Sequence, residues 1–77
     1  MSDKLLKSFG AHLKALRLKQ NLSQAELANK GEFDRNYVGM VERGERNPSL
    51  KNLARIAESL GITLPELLKF SNTSKVF

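Results

Sequence analysis

Helix punctuation is what most constrains the fold of this chain. Ser23-Gln24-Ala25-Glu26 and Thr63-Leu64-Pro65-Glu66 each set a hydroxyl three residues ahead of a glutamate. At that spacing the hydroxyl accepts from the glutamate N–H while the carboxylate accepts from the N–H of the hydroxyl residue. Asp34 and Ser49 are further capping residue types, each just ahead of an apolar run. Gly31, Gly44 and Gly61 stand where such runs stop, the usual place for a left-handed residue. Nothing between these marks alternates as a strand would.

Five helices follow from this division. In the first, Leu5, Leu6, Phe9, Leu13 and Leu16 share a stripe at the helical period, opposite Lys4, Lys7 and Lys14, and Lys19-Gln20-Asn21 closes it. The second spans Gln24–Lys30 with Ala25, Leu27 and Ala28 as apolar positions. The third spans Arg35–Arg43 with Tyr37, Val38 and Val41 facing inward. Glu45-Arg46-Asn47-Pro48 is a loop. Leu50, Leu53, Ala54, Ile56, Ala57 and Leu60 form the wide apolar face of the fourth helix, and a short fifth carries Leu64, Leu67 and Leu68. Residues 1–70 are expected to form one all-α domain and 71–77 a loose polar tail.

With 77 residues and no cysteine, the chain has no disulfides or thiolate metal sites, which fits a reducing cytoplasm. A chain of this size buries only about 60% of its unfolded surface, so a second copy is the expected extra source of stability. One histidine cannot build an imidazole-rich metal site, and no metal, cofactor or small-molecule ligand is implied. No apolar run approaches the ~20 residues of a membrane span and no signal-peptide pattern opens the chain, so a soluble intracellular protein without membrane contact is expected.

A formal charge of +5 suits a polyanion. Its distribution tempers that argument: residues 1–30 hold six basic and two acidic side chains, residues 31–50 three and four. No phosphate-cradling glycine loop, nucleophile elbow or metal-ligand spacing occurs. His12 flanks the apolar stripe as a boundary residue, and Glu42 with Glu45 has no cleft in which to do acid–base work. No enzyme is expected.

Residues 23–50 are the informative segment. A helix of about two turns, a short connection and a second helix make the unit that places its second helix in a major groove. Ala28 supplies the small residue where the helices cross, and Phe33, Val38 and Val41 fill the angle between them.

Through Leu22-Ser23-Gln24, Glu26-Leu27-Ala28, Val41-Glu42-Arg43-Gly44 and Leu60-Gly61-Ile62, the chain resembles the Cro/CI-type, XRE-like helix-turn-helix regulators of phage and bacteria from about Leu13 to Leu68. The resemblance implies a compact five-helix, lambda-repressor-like DNA-binding domain. Asp34-Arg35-Asn36-Tyr37 with Glu42-Arg43-Gly44-Glu45-Arg46-Asn47-Pro48-Ser49 is similar, more narrowly, to the restriction–modification controllers of that group. One departure concerns the turn. The family often has glycine where Glu32 stands, because that residue takes a positive φ, and here the glycine is Gly31. Either Glu32 is left-handed, at roughly 1–2 kcal/mol, or the turn is redrawn.

On this basis Arg35 is expected to reach guanine O6 and N7, since a positive side chain at a helix N-terminus opposes the macrodipole and has little structural reason to be there. Asn36 can read adenine or bond a phosphate. Tyr37 either sends its hydroxyl to a phosphate with its ring on a thymine methyl, or packs on the helix pair, or both. The resemblance implies that Gln24 bonds a phosphate and braces the recognition helix. It also implies that the loop residues Arg43, Arg46 and Asn47 run beside the DNA backbone. The first N–H groups after Ser49 offer a further phosphate site. The family pairs the positions of Arg17 and Glu42 in a partly buried salt bridge, which gives both a structural role.

Leu64, Leu67, Leu68 and Phe70 are the expected homodimer contact. Two recognition helices would then meet successive major grooves about 34 Å apart on a roughly palindromic operator. The resulting expectation is a cytoplasmic transcriptional regulator of bacterial or phage origin. It would be autoregulatory by analogy, with RNA polymerase as a further partner. The rival is a protein-interaction module, such as an antitoxin that binds a toxin.

Overall fold

The computed structural model describes residues 3–71. It contains α1 (Asp3–Lys19), α2 (Gln24–Gly31), α3 (Arg35–Glu42), α4 (Leu50–Leu60) and α5 (Leu64–Leu67), and no strand among the described residues. Apart from Ser71, the expected tail lies outside them.

Each cap forms as its local sequence dictates. Ser23 Oγ accepts from Glu26 N at 3.0 Å while Glu26 Oε1 accepts from Ser23 N at 2.8 Å. Thr63 and Glu66 make the same reciprocal pair. These bonds hold the Glu26 and Glu66 carboxyls below their ordinary pKa, chiefly because a backbone N–H favours the ionised form. Asp34 Oδ1 accepts from Asn36 N, and Ser49 Oγ from Asn52 N. Gly44 and Gly61 are left-handed, with φ of 77° and 68°. Arg43 is the cap residue of α3 rather than its last helical residue.

The core joins Phe9 and Leu13 of α1, Leu27 and Ala28 of α2, Val38 and Val41 of α3, Leu53, Ile56, Ala57 and Leu60 of α4, and Leu67 of α5. Leu5 and Leu16 are only half-buried on the flanks of the α1 stripe. Three expected inward positions are exposed: Ala25, Ala54 and Leu50, the last at 69%. Ala25 and Leu50 stand in first turns, ahead of the point where their helices meet the core. Ala54 lies on the outer side of the buried arc running through Leu53, Ile56, Ala57 and Leu60. At Gly10, α1 lies directly against the carbonyls of Val41 and Glu42, where an added Cβ would meet the Val41 oxygen at 2.6 Å. This contact seats the end of α3 on α1.

The turn between α2 and α3 resolves the alternatives at Gly31-Glu32. Glu32 takes the left-handed conformation, with φ 57° and ψ 40°, and caps α2. Gly31 is instead the last, buried residue of α2. A Cβ there would lie 2.6 Å from the Phe33 ring and 2.7 Å from Ser59 Oγ. Packing, not φ, requires glycine at 31.

Candidate nucleic-acid interface

The two helices that bracket this turn differ sharply in their faces. Val38 and Val41 are buried, whereas Arg35 and Asn36 are exposed at the start of α3. Among the described residues the side chains of Arg35 and Asn36 make no hydrogen bond or ion pair. They border an open groove with Gly39 and Arg43 on the α3 side and Ser23, Gln24 and Ala25 on the α2 side. Its floor is polar.

That floor is a buried ionic network. Arg17 Nε and Nη2 donate to Glu42 Oε2 and Oε1 at 2.7 and 3.0 Å, and Arg17 Nη1 donates to the Leu22 carbonyl at 2.7 Å. Gln24 Nε2 donates to Glu42 Oε1 at 3.0 Å. Arg17 and Glu42 are only 6% and 9% exposed, so the carboxylate is compensated by three donors inside the fold. The hydrogen bonds to Glu42 raise the Arg17 pKa against the opposing effect of burial. The network ties α1, α2 and α3 together and fixes the angle at which α3 leaves the body. Gln24 braces α3 through it, which leaves its Oε1 atom 3.3 Å from where a Cβ on Gly39 would stand.

Beyond α3 the expected backbone-facing residues have separate environments. Arg43 is exposed and forked onto Glu45, with Nε and Nη2 donating at 2.9 and 3.2 Å. These bonds raise its pKa and lower that of Glu45. Arg46 is exposed with its guanidinium 5.4 Å from the Tyr37 ring centroid. Asn47 and Ser49 are exposed, and the Ser49 hydroxyl is already engaged as the α4 cap.

Tyr37 is half-buried and sits in a cluster that the sequence did not disclose. Its ring stacks on Phe33 at 5.3 Å, and its hydroxyl accepts from Asn52 Nδ2 at 3.0 Å. Arg55 lies 4.4 Å over the other ring, donates to the Gly31 carbonyl at 2.6 Å and to that of Glu32 at 3.1 Å, and reaches Asn52 Oδ1 at 3.5 Å. Asn52 and Arg55 were missed because they lie one turn apart on α4, while their partners lie 15 to 24 residues away. Nothing local signals such contacts.

The expected dimer contact needs one correction. Leu67 is 0% exposed in the chain's own core, so it has no surface left for a second copy. Leu64 and Phe70 pack half-buried against that core, Phe70 with its ring 5.8 Å from Phe9 and 5.6 Å from His12, while Leu68 is 41% exposed. His12 is correspondingly half-buried. Among the described residues no group of His, Cys, Asp or Glu is arranged to hold a metal, and no helix is long and apolar enough to cross a membrane.

A family profile for helix-turn-helix domains matches residues 13–67, the stretch that contains both groove-forming helices and the buried network. The chain belongs to that helix-turn-helix family. Among relatives of this helix-turn-helix protein, the control protein C.MunI of a Mycoplasma species is 48% identical over 68 residues, covering 87% of this chain and 89% of its own. The restriction–modification controller C.AhdI of Aeromonas hydrophila superposes with a TM-score of 0.79 at 48% identity, over 80% of this chain and 94% of that one. The controller C.Esp1396I, solved as a tetramer with its natural 35-base-pair operator, superposes with a TM-score of 0.75 at 33% identity, over 83% and 88% of the two chains.

Proposed function

We propose that this protein is a sequence-specific DNA-binding regulator of transcription. In this reading it binds a roughly palindromic operator as a homodimer and controls a restriction–modification operon, its own promoter included. The observation that carries the reading is the Arg35–Asn36 pair, whose side chains are unbonded among the described residues. It stands exposed at the start of a helix whose far end is anchored by the Arg17–Glu42–Gln24 network. Rigid placement matters because base recognition through paired hydrogen bonds tolerates little displacement. The similarity to C.Esp1396I, a relative captured on its operator, supports the same reading.

In this proposal Arg35 and Asn36 meet base edges. Gln24, Tyr37, Arg43, Arg46 and Asn47, with the first N–H groups after Ser49, meet phosphates. Arg43 exchanges Glu45 for a phosphate on binding. The dimer forms around α5 through Leu68 and the exposed parts of Leu64 and Phe70, without Leu67. Contact with RNA polymerase, a cytoplasmic setting and the absence of any catalytic role belong to the same reading. The rival role as an antitoxin finds no support among the relatives named.

Selection of bound sequences from random duplex DNA tests the proposal. A two-fold symmetric consensus is expected, and no enrichment at moderate salt would sink it.

A further inference from the structure

The cluster around Tyr37 sets the direction of a single proton. Arg55 is immobilised by the Gly31 and Glu32 carbonyls and by the Phe33 ring, and it presents Nη1 to Asn52 at 3.5 Å. A guanidinium only donates. Turning the Asn52 amide over would set its NH2 against that cation, so Oδ1 faces Arg55 and Nδ2 faces Tyr37. The Tyr37 hydroxyl therefore accepts from Asn52, at 3.0 Å. Its own proton has no acceptor among the described residues. Phosphate oxygens only accept, so a hydroxyl held in this way is matched to a phosphate, whereas one that donated inward would present lone pairs to it.

We propose that Asn52 is a positioning residue whose amide, oriented by Arg55, holds the Tyr37 hydroxyl as a donor to a DNA phosphate. The inference rests on the proposed DNA contact of Tyr37. It adds that a residue of α4 that need not touch the DNA decides whether the hydroxyl proton is left free: a donor at 52 leaves it free and an acceptor there would capture it.

The test measures affinity for the selected operator duplex in wild type, Tyr37→Phe, Asn52→Ala, Asn52→Asp and the Tyr37→Phe/Asn52→Asp double variant, with folding checked by circular dichroism. Tyr37→Phe is expected to weaken binding about tenfold, the size of a hydrogen bond to a charged group. Unchanged binding would sink both the contact and the inference. Asn52→Ala removes the amide but supplies no acceptor, so the hydroxyl still turns its proton outward and the loss stays within about threefold. Asn52→Asp supplies an acceptor and draws the proton inward. Its loss is expected to be at least about fivefold larger with Tyr37 present than in the Tyr37→Phe background, where only the added charge acts. Equal losses in both backgrounds, with Tyr37→Phe still weakened, would overturn the role of Asn52 alone. Should Asn52→Asp fail to fold, Asn52→Ala decides: a loss as large as that of Tyr37→Phe means the amide acts by packing, and the proposal falls.

Discussion

Single side chains at this interface divide by what already holds them. Among the described residues Arg35 has no side-chain partner, Arg46 has the Tyr37 ring and Arg43 has Glu45. A base-reading residue and a phosphate-reading residue should then fail differently. Arg35→Ala is expected to lose about 1–3 kcal/mol of discrimination at one operator position, which repeated selection on random duplexes would register as a relaxed consensus. Arg46→Ala is expected to weaken all sequences alike and to reduce the slope of log affinity against log salt by about one per site, as titration at several ionic strengths would show. A matched loss of specificity in both variants would contradict the division.

Between elements, the strongest coupling is the ion pair that joins α1 to α3. Because Arg17 and Glu42 are both buried, Arg17→Met leaves a carboxylate stranded with only the Gln24 amide. The expected loss in urea unfolding is about 3–5 kcal/mol, most of what a domain this small possesses. Replacing Glu42 by leucine in the same protein should restore much of it, since the desolvation of both charges is then removed. The turn offers an opposed pair of substitutions at adjacent positions. Gly31→Ala drives a methyl into the Phe33 ring, which already packs on Tyr37 and Arg55, and is expected to lower stability by about 1–3 kcal/mol. Glu32→Gly relieves a left-handed residue and is expected to raise stability by up to about 1 kcal/mol, after allowance for the greater freedom of glycine in the unfolded chain. Thermal melts distinguish the two directions.

For the molecule as a whole, the proposed function makes affinity depend on a second copy, because one recognition helix touches too few base pairs for useful specificity. Leu68 is the apolar side chain of the α5 region most open to a partner. Leu68→Glu is expected to leave the monomer's melting temperature nearly unchanged. In sedimentation at micromolar concentration it should convert a dimer to a monomer and so reduce operator affinity by orders of magnitude. A wild-type monomer at that concentration, or a variant that still dimerises, would move the interface elsewhere. Leu67→Asp would be uninformative, since it unfolds the core that Leu67 fills.

Helix starts and stops were legible in the chain because a cap is a contact between residues two or three apart. Ser23 with Glu26, Thr63 with Glu66, Asp34 with Asn36 and Ser49 with Asn52 all form where their spacing places them. The motifs that mark the family were also legible as short runs of sequence, and the pairing of Arg17 with Glu42, 25 residues apart, followed only from the resemblance to that family. Tertiary structure alone decided the rest. Of two adjacent residues, it left the positive φ to Glu32, because the space at Gly31 is taken by Phe33 and Ser59. It turned Ala25, Ala54 and Leu50 outward and Leu67 inward, because helical period says which residues share a face but not how much of that face a neighbour covers. It also assembled Arg55, Asn52 and Tyr37 across 15 to 24 residues of chain, where no local pattern records which side chains will meet. Within the proposed interface, sequence thus supplied the helix that faces the groove, and packing supplied its angle and its bracing.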